Sequence, residues 1–182
     1  MLIRPGRGGE LRRRGSLHRR YPCRSLPRFL RLQSPLFRIW ADIAWLRSLT
    51  TLPLILKGIL DPDDAEQAIG TGADAIVVSN HGSRNLDTLP ATIDALPAIA
   101  ERVAGRIPII LDGGVRRGTD VLKAISLGAS AVMIGRPYVY ALATAGAEGV
   151  AHCVSLLHRD FAAAMALTGR ARIGEIDRSV IW

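Results

Sequence analysis

Polar or glycine-rich groups follow each of four apolar runs in this 182-residue chain, at the positions where buried strands would end. They are Lys57-Gly58, Ser79-Asn80-His81-Gly82, Asp112-Gly113-Gly114 and Gly135-Arg136. The carboxyl ends of parallel strands meet at one edge of a sheet, so these four groups should surround one crevice. A single polar residue at a strand end is usually a loop residue, but a lysine, a histidine, an aspartate and an arginine at four ends indicate a functional site.

His81 and Arg84 have the chemistry to act on an anionic substrate. Imidazole titrates near neutral pH and suits a general base, although an isolated histidine is more often structural. Arg84 offers a planar fork that binds a carboxylate through two hydrogen bonds, which would hold a substrate beside that base. Lys57 suits electron-rich cofactor oxygens, because a cation stabilises negative charge that develops on reduction. The other histidines lack such neighbours and are interpreted as surface residues: His18, His152 and His158.

The segment from Asp112 to Asp120 predicts a phosphate-binding loop. Its glycines let backbone amides approach an anion, and the helix that follows should present its positive amino end. Arg116 or Arg136 could then neutralise the phosphate charge. The alternative is an ordinary glycine turn with two solvated arginines.

Strands and helices alternate from residue 41 onward. Four apolar runs without alternating polar residues predict strands buried on both faces, at Leu54–Leu56, Ala75–Val78, Pro108–Leu111 and Ala131–Ile134. Helices are predicted over Pro62–Ile69, capped by Asp61, and over Ala91–Val103, Thr119–Leu127 and Gly146–Thr168, the last with Met165 in the core. Right-handed connections make these βα units one parallel sheet or part of a barrel.

Charge divides the chain at residue 40. The net charge is +8, but residues 1–40 hold eleven arginines and one acidic residue, Glu10, so the remainder is slightly acidic. The arginine-rich segment is interpreted as a disordered tail, with a nucleic-acid arm and a targeting peptide as alternatives. No apolar run reaches the length of a membrane span. Cys23 and Cys153 are too few for a disulfide framework, and reduced thiols point to the cytoplasm.

Residues 41–182 resemble the FMN-dependent α-hydroxy acid oxidase and dehydrogenase family, which includes glycolate oxidases, L-lactate dehydrogenases and mandelate dehydrogenases. The resemblance rests on motifs in the family's order: Trp45-Leu46, Leu52-Pro53, Lys57-Gly58, Ser79-Asn80-His81-Gly82 with Arg84 and Leu86-Asp87, Pro90-Ala91-Thr92, Asp112 through Asp120, and Gly135-Arg136-Pro137. Two residues depart from the common pattern: Ser83 stands where glycine is usual, and Asn85 where glutamine is frequent. Ser83 matters if its backbone needs a positive φ angle.

The resemblance implies a role for each site residue. Lys57 and Ser79 would contact the flavin, His81 would be the catalytic base, and Arg84 would bind the substrate carboxylate. The FMN ribityl and phosphate would be bound by Asp112, Gly113, Gly114, Arg116, Gly135 and Arg136. The implied reaction oxidises a small L-2-hydroxy acid to a 2-oxo acid, and no nucleic-acid or membrane partner is expected.

The same resemblance predicts the fold class: α/β, the carboxy-terminal half of a (β/α)8 TIM barrel with four parallel βα units. A whole barrel needs roughly 250 residues. The predicted domains are therefore the arginine-rich tail, 1–40, and a truncated FMN hydroxy acid dehydrogenase domain, 41–182. A half-barrel exposes two sheet edges, which predicts a homo-oligomer. The alternatives are a catalytically inactive FMN- or phosphate-binding remnant, an arginine-tailed nucleic-acid binder, or another phosphate-binding flavin or nucleotide barrel.

Overall fold

The computed structural model describes residues 40–181, and the predictions for the arginine-rich segment, His18 and Cys23 lie outside these residues. Four parallel strands form one sheet in the order β1-β2-β3-β4. The elements are α1 (Trp40–Leu49), β1 (Ile55–Ile59), α2 (Pro62–Gly70), β2 (Ala75–Val78), α3 (Thr92–Val103), β3 (Ile109–Asp112), α4 (Gly118–Ser126), β4 (Ala131–Met133) and α5 (Arg136–Leu167). The predicted α/β class with four parallel βα units is confirmed, whereas the domain boundary after residue 40 stays a prediction.

The core lies around the second strand, β2. All four of its residues are buried, and β1 and β3 pair with it on either side. Ile76 and Val78 belong to one buried cluster with Leu96 and Ile99 of α3. Burial of such a side chain contributes about 1.5–3 kcal/mol. The residues that follow β2 therefore extend from a fully buried strand that is paired on both sides.

The prediction that all four strands are buried on both faces was wrong for β1 and β4. Ile55 in β1 is 51% exposed, and Met133 in β4 is 42% exposed. Each of these strands has a paired strand on one side only among residues 40–181. Their apolar side chains consequently lack the neighbours that cover β2.

Local signals set the helix ends as predicted at α2 and differently at α5. The Asp61 side chain accepts a hydrogen bond from the Asp63 amide at 2.7 Å, which is the predicted cap of α2. The last helix begins ten residues before the predicted start, at Arg136, and is interrupted at Ala145 and Gly146. Gly146 has a φ of 57°, a left-handed conformation that glycine adopts freely. The predicted helix over 146–168 is thus the second segment of α5.

The second segment of α5 packs against α4. Phe161 and Met165 contact a small buried cluster formed by Leu122, Ala164 and Ile176. Met165, predicted to lie in the core, is partly buried at the edge of this small cluster. No helix among residues 40–181 combines the length and the apolar character needed to cross a membrane.

The sequence analysis did not predict the helix α1, because its apolar residues show only weak helical periodicity. In the structure none of its residues is buried. Its Arg47 donates hydrogen bonds to Asp74 at 2.7 Å and to the carbonyl oxygens of Thr50 and Leu52. Asp74 also accepts a hydrogen bond from the Leu54 amide at 2.7 Å. That amide bond, with help from Arg47, lowers the pKa of Asp74. One carboxylate thus joins α1 to the start of the sheet.

A close crossing at Gly118 predicts a large loss of stability when a side chain is added there. A Cβ atom at Gly118 would lie 1.9 Å from the Phe161 amide nitrogen, so the two helix backbones would have to separate. We expect Gly118→Ala to lower the free energy of unfolding by about 3 kcal/mol or more. Urea unfolding followed by circular dichroism measures the change.

Gly70 is the matched control, because it ends α2 and a Cβ there would meet no atom within 4 Å. Gly70→Ala should leave stability unchanged or raise it by up to about 1 kcal/mol. Equal unfolding midpoints for the two alanine variants would show that α4 and α5 do not cross this closely.

Candidate functional site

A cleft of 390 Å³ lies at the carboxyl ends of the strands. Nine of the ten predicted site residues line it: Lys57, His81, Arg84, Asp112, Gly113, Gly114, Arg116, Gly135 and Arg136. The tenth, Ser79, is 2% exposed, and its Oγ accepts hydrogen bonds from Lys57 Nζ at 2.8 Å and from the His81 amide at 3.1 Å. The structure thus brings the ten predicted residues together at one cleft.

Lys57 was predicted to follow its strand but lies within β1, and its side chain contacts the ends of two other strands. Its Nζ lies 2.6 Å from Asp112 Oδ2, at the end of β3, and donates to Ser79 Oγ, after β2, at 2.8 Å. The pairing register of β1 with β2 shifts between Lys57 and Ile59, where Gly58 has a φ of 107°. Such a bulge re-aims the neighbouring side chain. A cation is therefore held at the cleft floor by a carboxylate and a buried hydroxyl.

The base predicted from the sequence lies in a left-handed turn. His81, Gly82 and Ser83 have φ angles of 56°, 67° and 60°. For a non-glycine residue this conformation costs about 1–2 kcal/mol. The concern raised by the sequence at Ser83 is therefore real, because that position does need a positive φ. The turn leaves His81 exposed at the cleft wall.

Asn80, to which no role was assigned from the sequence, holds this turn together. Its Oδ1 accepts hydrogen bonds from the amides of Gly82 at 3.0 Å and Ser83 at 3.3 Å, and its Nδ2 donates to the Pro90 carbonyl at 3.1 Å. Asparagine side chains commonly satisfy the backbone two residues later in turns. That preference, at a position just before His81, is the signal that could have identified Asn80.

The two glycines after β3, Gly113 and Gly114, form an open loop, the glycine loop. Gly113 and Gly114 have φ angles of 97° and 80°. A Cβ at Gly113 would lie 3.2 Å from Thr92 Oγ1, whereas one at Gly114 would meet no atom within 4 Å. Gly113 therefore packs inward, and Gly114 leaves its backbone accessible from the cleft.

The amino end of α4 does not offer the anion-binding amides expected of it. The amides of Arg116 and Arg117 both donate to Asp120 Oδ2 at 2.9 Å, and the Gly118 amide donates to Asp160 Oδ2 at 2.6 Å. Two carboxylates already occupy these donors. Donors that remain for an anion at this loop include the backbone at Gly114 and the guanidinium groups of Arg116 and Arg136.

The charge of the cleft favours anionic ligands. Among residues 40–181, its lining contains four cationic side chains, those of Lys57, Arg84, Arg116 and Arg136, and one carboxylate, that of Asp112. Within residues 40–181, Lys57 is the one of these cations that forms an ion pair. Three guanidinium groups at one opening are thus free of carboxylate partners in the described part of the chain.

An apolar wall completes the cleft and was not predicted as part of the site. It is formed by Met133, Pro137, Tyr138 and Val139, which lie around the end of β4. Their signal was their proximity to Gly135-Arg136 in the sequence. A ligand in this cleft therefore meets both cationic side chains and apolar surface.

Outside the cleft, the described part of the chain contains two exposed histidines and one cysteine. His152 and His158 are exposed on α5, which confirms their interpretation as surface residues. Cys153 is a half-buried free thiol. No group of three or more metal-ligating side chains occurs within residues 40–181.

Comparison with known proteins places this geometry in context. The sequence model of the FMN-dependent dehydrogenase family matches residues 23–182. A 2-hydroxyacid oxidase of Dictyostelium discoideum is 55% identical over 143 residues, and an L-lactate oxidase of Nostoc sp. is 53% identical over 142 residues. A crystal structure of mandelate oxidase with benzoyl-formic acid superposes with a TM-score of 0.75 at 45% identity.

These similarities cover part of each relative. The match to the Dictyostelium protein spans 79% of this chain and 37% of that protein, and the match to the Nostoc protein spans 78% and 39%. The mandelate oxidase match covers 78% of this chain and 42% of that structure. The chain therefore spans about two fifths of the length of these relatives.

The left-handed turn predicts that Ser83→Gly stabilises the protein. Glycine adopts a φ of 60° without a steric cost, so the free energy of unfolding should rise by about 1 kcal/mol. Ser83→Ala is the control, because it removes the hydroxyl and keeps the Cβ atom. Chemical unfolding of the three proteins measures the difference. An alanine variant as stable as the glycine variant would mean that the serine hydroxyl, not backbone strain, limits stability there.

Proposed function

Because the chain belongs to the FMN-dependent dehydrogenase family, we propose that it contains the cofactor phosphate site and the catalytic base of an enzyme that oxidises an L-2-hydroxy acid to a 2-oxo acid. The observation that carries this proposal is the single cleft that contains His81, Arg84, Lys57 and the glycine loop together. A base, a carboxylate-binding group and a phosphate-binding loop are the parts that such a reaction requires.

The cleft residues fit FMN. Gly114 leaves room for an anion to approach the backbone, and Arg116 and Arg136 can neutralise a phosphate at the same opening. Lys57 provides a cation held by Asp112 and Ser79, suited to electron-rich flavin oxygens. FMN, when bound, would accept the electron pair released by the substrate. The apolar wall suits a planar ring system.

The substrate is proposed to bind through its carboxylate to Arg84. A guanidinium forms two parallel hydrogen bonds with a carboxylate and thereby fixes the orientation of the molecule as well as its position. Arg84 has no carboxylate partner within the described chain and is exposed at the cleft, so it is available to the substrate.

His81 is proposed to accept a proton from the bound hydroxy acid. Oxidation of the alcohol to a carbonyl group removes two protons and two electrons. The imidazole would take one proton, and the second proton and the electron pair would pass to FMN when it is bound. The turn that holds His81 is fixed from below, because the His81 amide donates to Ser79 Oγ at 3.1 Å and the same Oγ accepts from Lys57. The base and the cation are thus positioned through one buried hydroxyl.

A second copy of the chain is proposed as a partner. β1 and β4 are the edges of the described sheet and run in the same direction, so β4 of one copy can pair with β1 of another. Unpaired edges with exposed apolar residues favour pairing with another chain. Two copies would provide eight parallel strands, the number in a TIM barrel.

Flavin absorbance tests the proposed activity. The chain is incubated with FMN, desalted, and mixed anaerobically with L-lactate, glycolate or L-mandelate. We expect bound flavin that bleaches. His81→Gln should keep the flavin and lower the bleaching rate by about 10²–10⁴-fold, because the base is lost. Arg84→Lys should weaken acid binding by about tenfold or more, because the two-point contact is lost.

His158→Gln is the control, since His158 is exposed on α5 and outside the cleft lining. It should leave the bleaching rate unchanged. Bound flavin that stays oxidised with every acid would identify an inactive cofactor-binding remnant, and a chain that retains no flavin would refute the cofactor proposal as well.

Sedimentation equilibrium tests the proposed partner. We expect a species of twice the 19.6 kDa chain mass. Ile55→Lys places a charge on the exposed β1 edge and should shift the equilibrium to monomer. Leu167→Lys is the control, because Leu167 is 89% exposed at the end of α5, away from both edges. Equal masses for the two lysine variants would exclude pairing through β1.

A further inference from the structure

Arg136 contacts the turn that holds the proposed base, although it lies 54 residues later in the chain. Its Nη2 donates to the Gly82 carbonyl at 2.6 Å. A Cβ at Gly82 would lie 3.3 Å from the same nitrogen, so the guanidinium lies directly against this glycine. The left-handed turn is therefore held from two sides, by Asn80 within the loop and by Arg136 across the cleft.

Arg136 also belongs to the glycine loop side of the cleft. It lines the main cleft together with Gly114, Arg116 and Gly135. It further lines a neighbouring cleft of 390 Å³ with Gly82 and Gly114. The Arg136 side chain thus lies between the glycine loop and the His81–Ser83 turn.

One guanidinium can serve both neighbours at once. Arginine has five N–H donors in a planar fork, and the bond to Gly82 uses one nitrogen. Arg136 forms no ion pair with a carboxylate within residues 40–181. Its remaining donors are available to an anion at the glycine loop while Nη2 stays on the Gly82 carbonyl.

The turn is sensitive to such a contact. His81 and Ser83 are non-glycine residues in the left-handed region, with φ angles of 56° and 60°, so both are strained. Strained backbone persists only where surrounding groups hold it. Any change that orders the Arg136 side chain therefore favours the ordered form of this turn.

We propose that Arg136 is a positioning residue that couples occupancy of the glycine loop by a phosphate group to the order of the His81–Ser83 turn. This inference rests on the proposed function only in assigning a phosphate group to that loop. An anion that orients the guanidinium stabilises its bond to the Gly82 carbonyl. By linkage, a more ordered turn binds the anion more tightly.

Hydrogen–deuterium exchange of the full chain, read on peptides that cover residues 79–85, tests this coupling. Inorganic phosphate is the probe, and its affinity is measured in parallel by calorimetry. For the unaltered protein we expect saturating phosphate to slow exchange in this segment by at least about fivefold. FMN should have the same effect and riboflavin should not, because riboflavin lacks the phosphate group.

Arg136→Lys and Arg116→Lys form the matched pair. Both keep the positive charge and both lie at the cleft, but the Gly82 contact belongs to Arg136. Arg116→Lys should weaken phosphate binding and still show full slowing of exchange at saturation. Arg136→Lys should bind phosphate without slowing exchange in residues 79–85.

Three outcomes would overturn the inference: no phosphate binding, binding that leaves exchange in residues 79–85 unchanged, or full slowing in Arg136→Lys. These results are distinct from a failure of the proposed function. A chain that shows the phosphate-dependent slowing but never bleaches flavin would keep the coupling and lose the oxidation. A chain that bleaches flavin but shows no phosphate-dependent slowing would keep the oxidation and lose the coupling.

Discussion

Parallel pairing of β1 with β2, β2 with β3 and β3 with β4 brings four strand ends to one edge of the sheet, and every feature of the site depends on it. Lys57 lies in β1, Ser79 follows β2 and Asp112 ends β3, and an antiparallel β2 would place Ser79 at the opposite end of the sheet. Their contacts at 2.6 and 2.8 Å are possible because the strands end at the same level. The buried strand β2 lies between β1 and β3 and pairs with both of them.

At the carboxyl ends of the strands, strained backbone lies next to the hydrogen bonds that hold it. The His81–Ser83 turn carries left-handed non-glycine residues, and Asn80 and Arg136 supply hydrogen bonds that hold them. The glycine loop has a similar division, in which Asp120 and Asp160 satisfy the amides at the start of α4. Side chains that bond to nearby backbone, such as those of Asn80, Asp120 and Asp160, hold the shape of the cleft. Guanidinium groups without a carboxylate partner in the described chain give it positive charge.

Much of this could be predicted because it depends on residue types at local spacing. The strand positions, the Asp61 cap and the convergence of Lys57, His81 and Arg136 follow from apolar runs and from what stands after each of them. The predictions failed where a residue's surroundings are set by distant parts of the chain. The exposure of Ile55 and Met133 depends on which strands lie beside them, and the loss of the α4 amides depends on Asp160, 42 residues after Gly118.

The sequence by itself determined the class of fold, the family and the set of groups at the cleft, since these depend on motifs whose order survives in a linear chain. Only the tertiary structure decided that Ser83 adopts a positive φ, that Asn80 supports the turn, and that Arg136 reaches Gly82. The physical reason is that a hydrogen bond depends on distance and direction in space. The number of residues between two positions in the sequence gives neither their distance nor their direction in the folded chain.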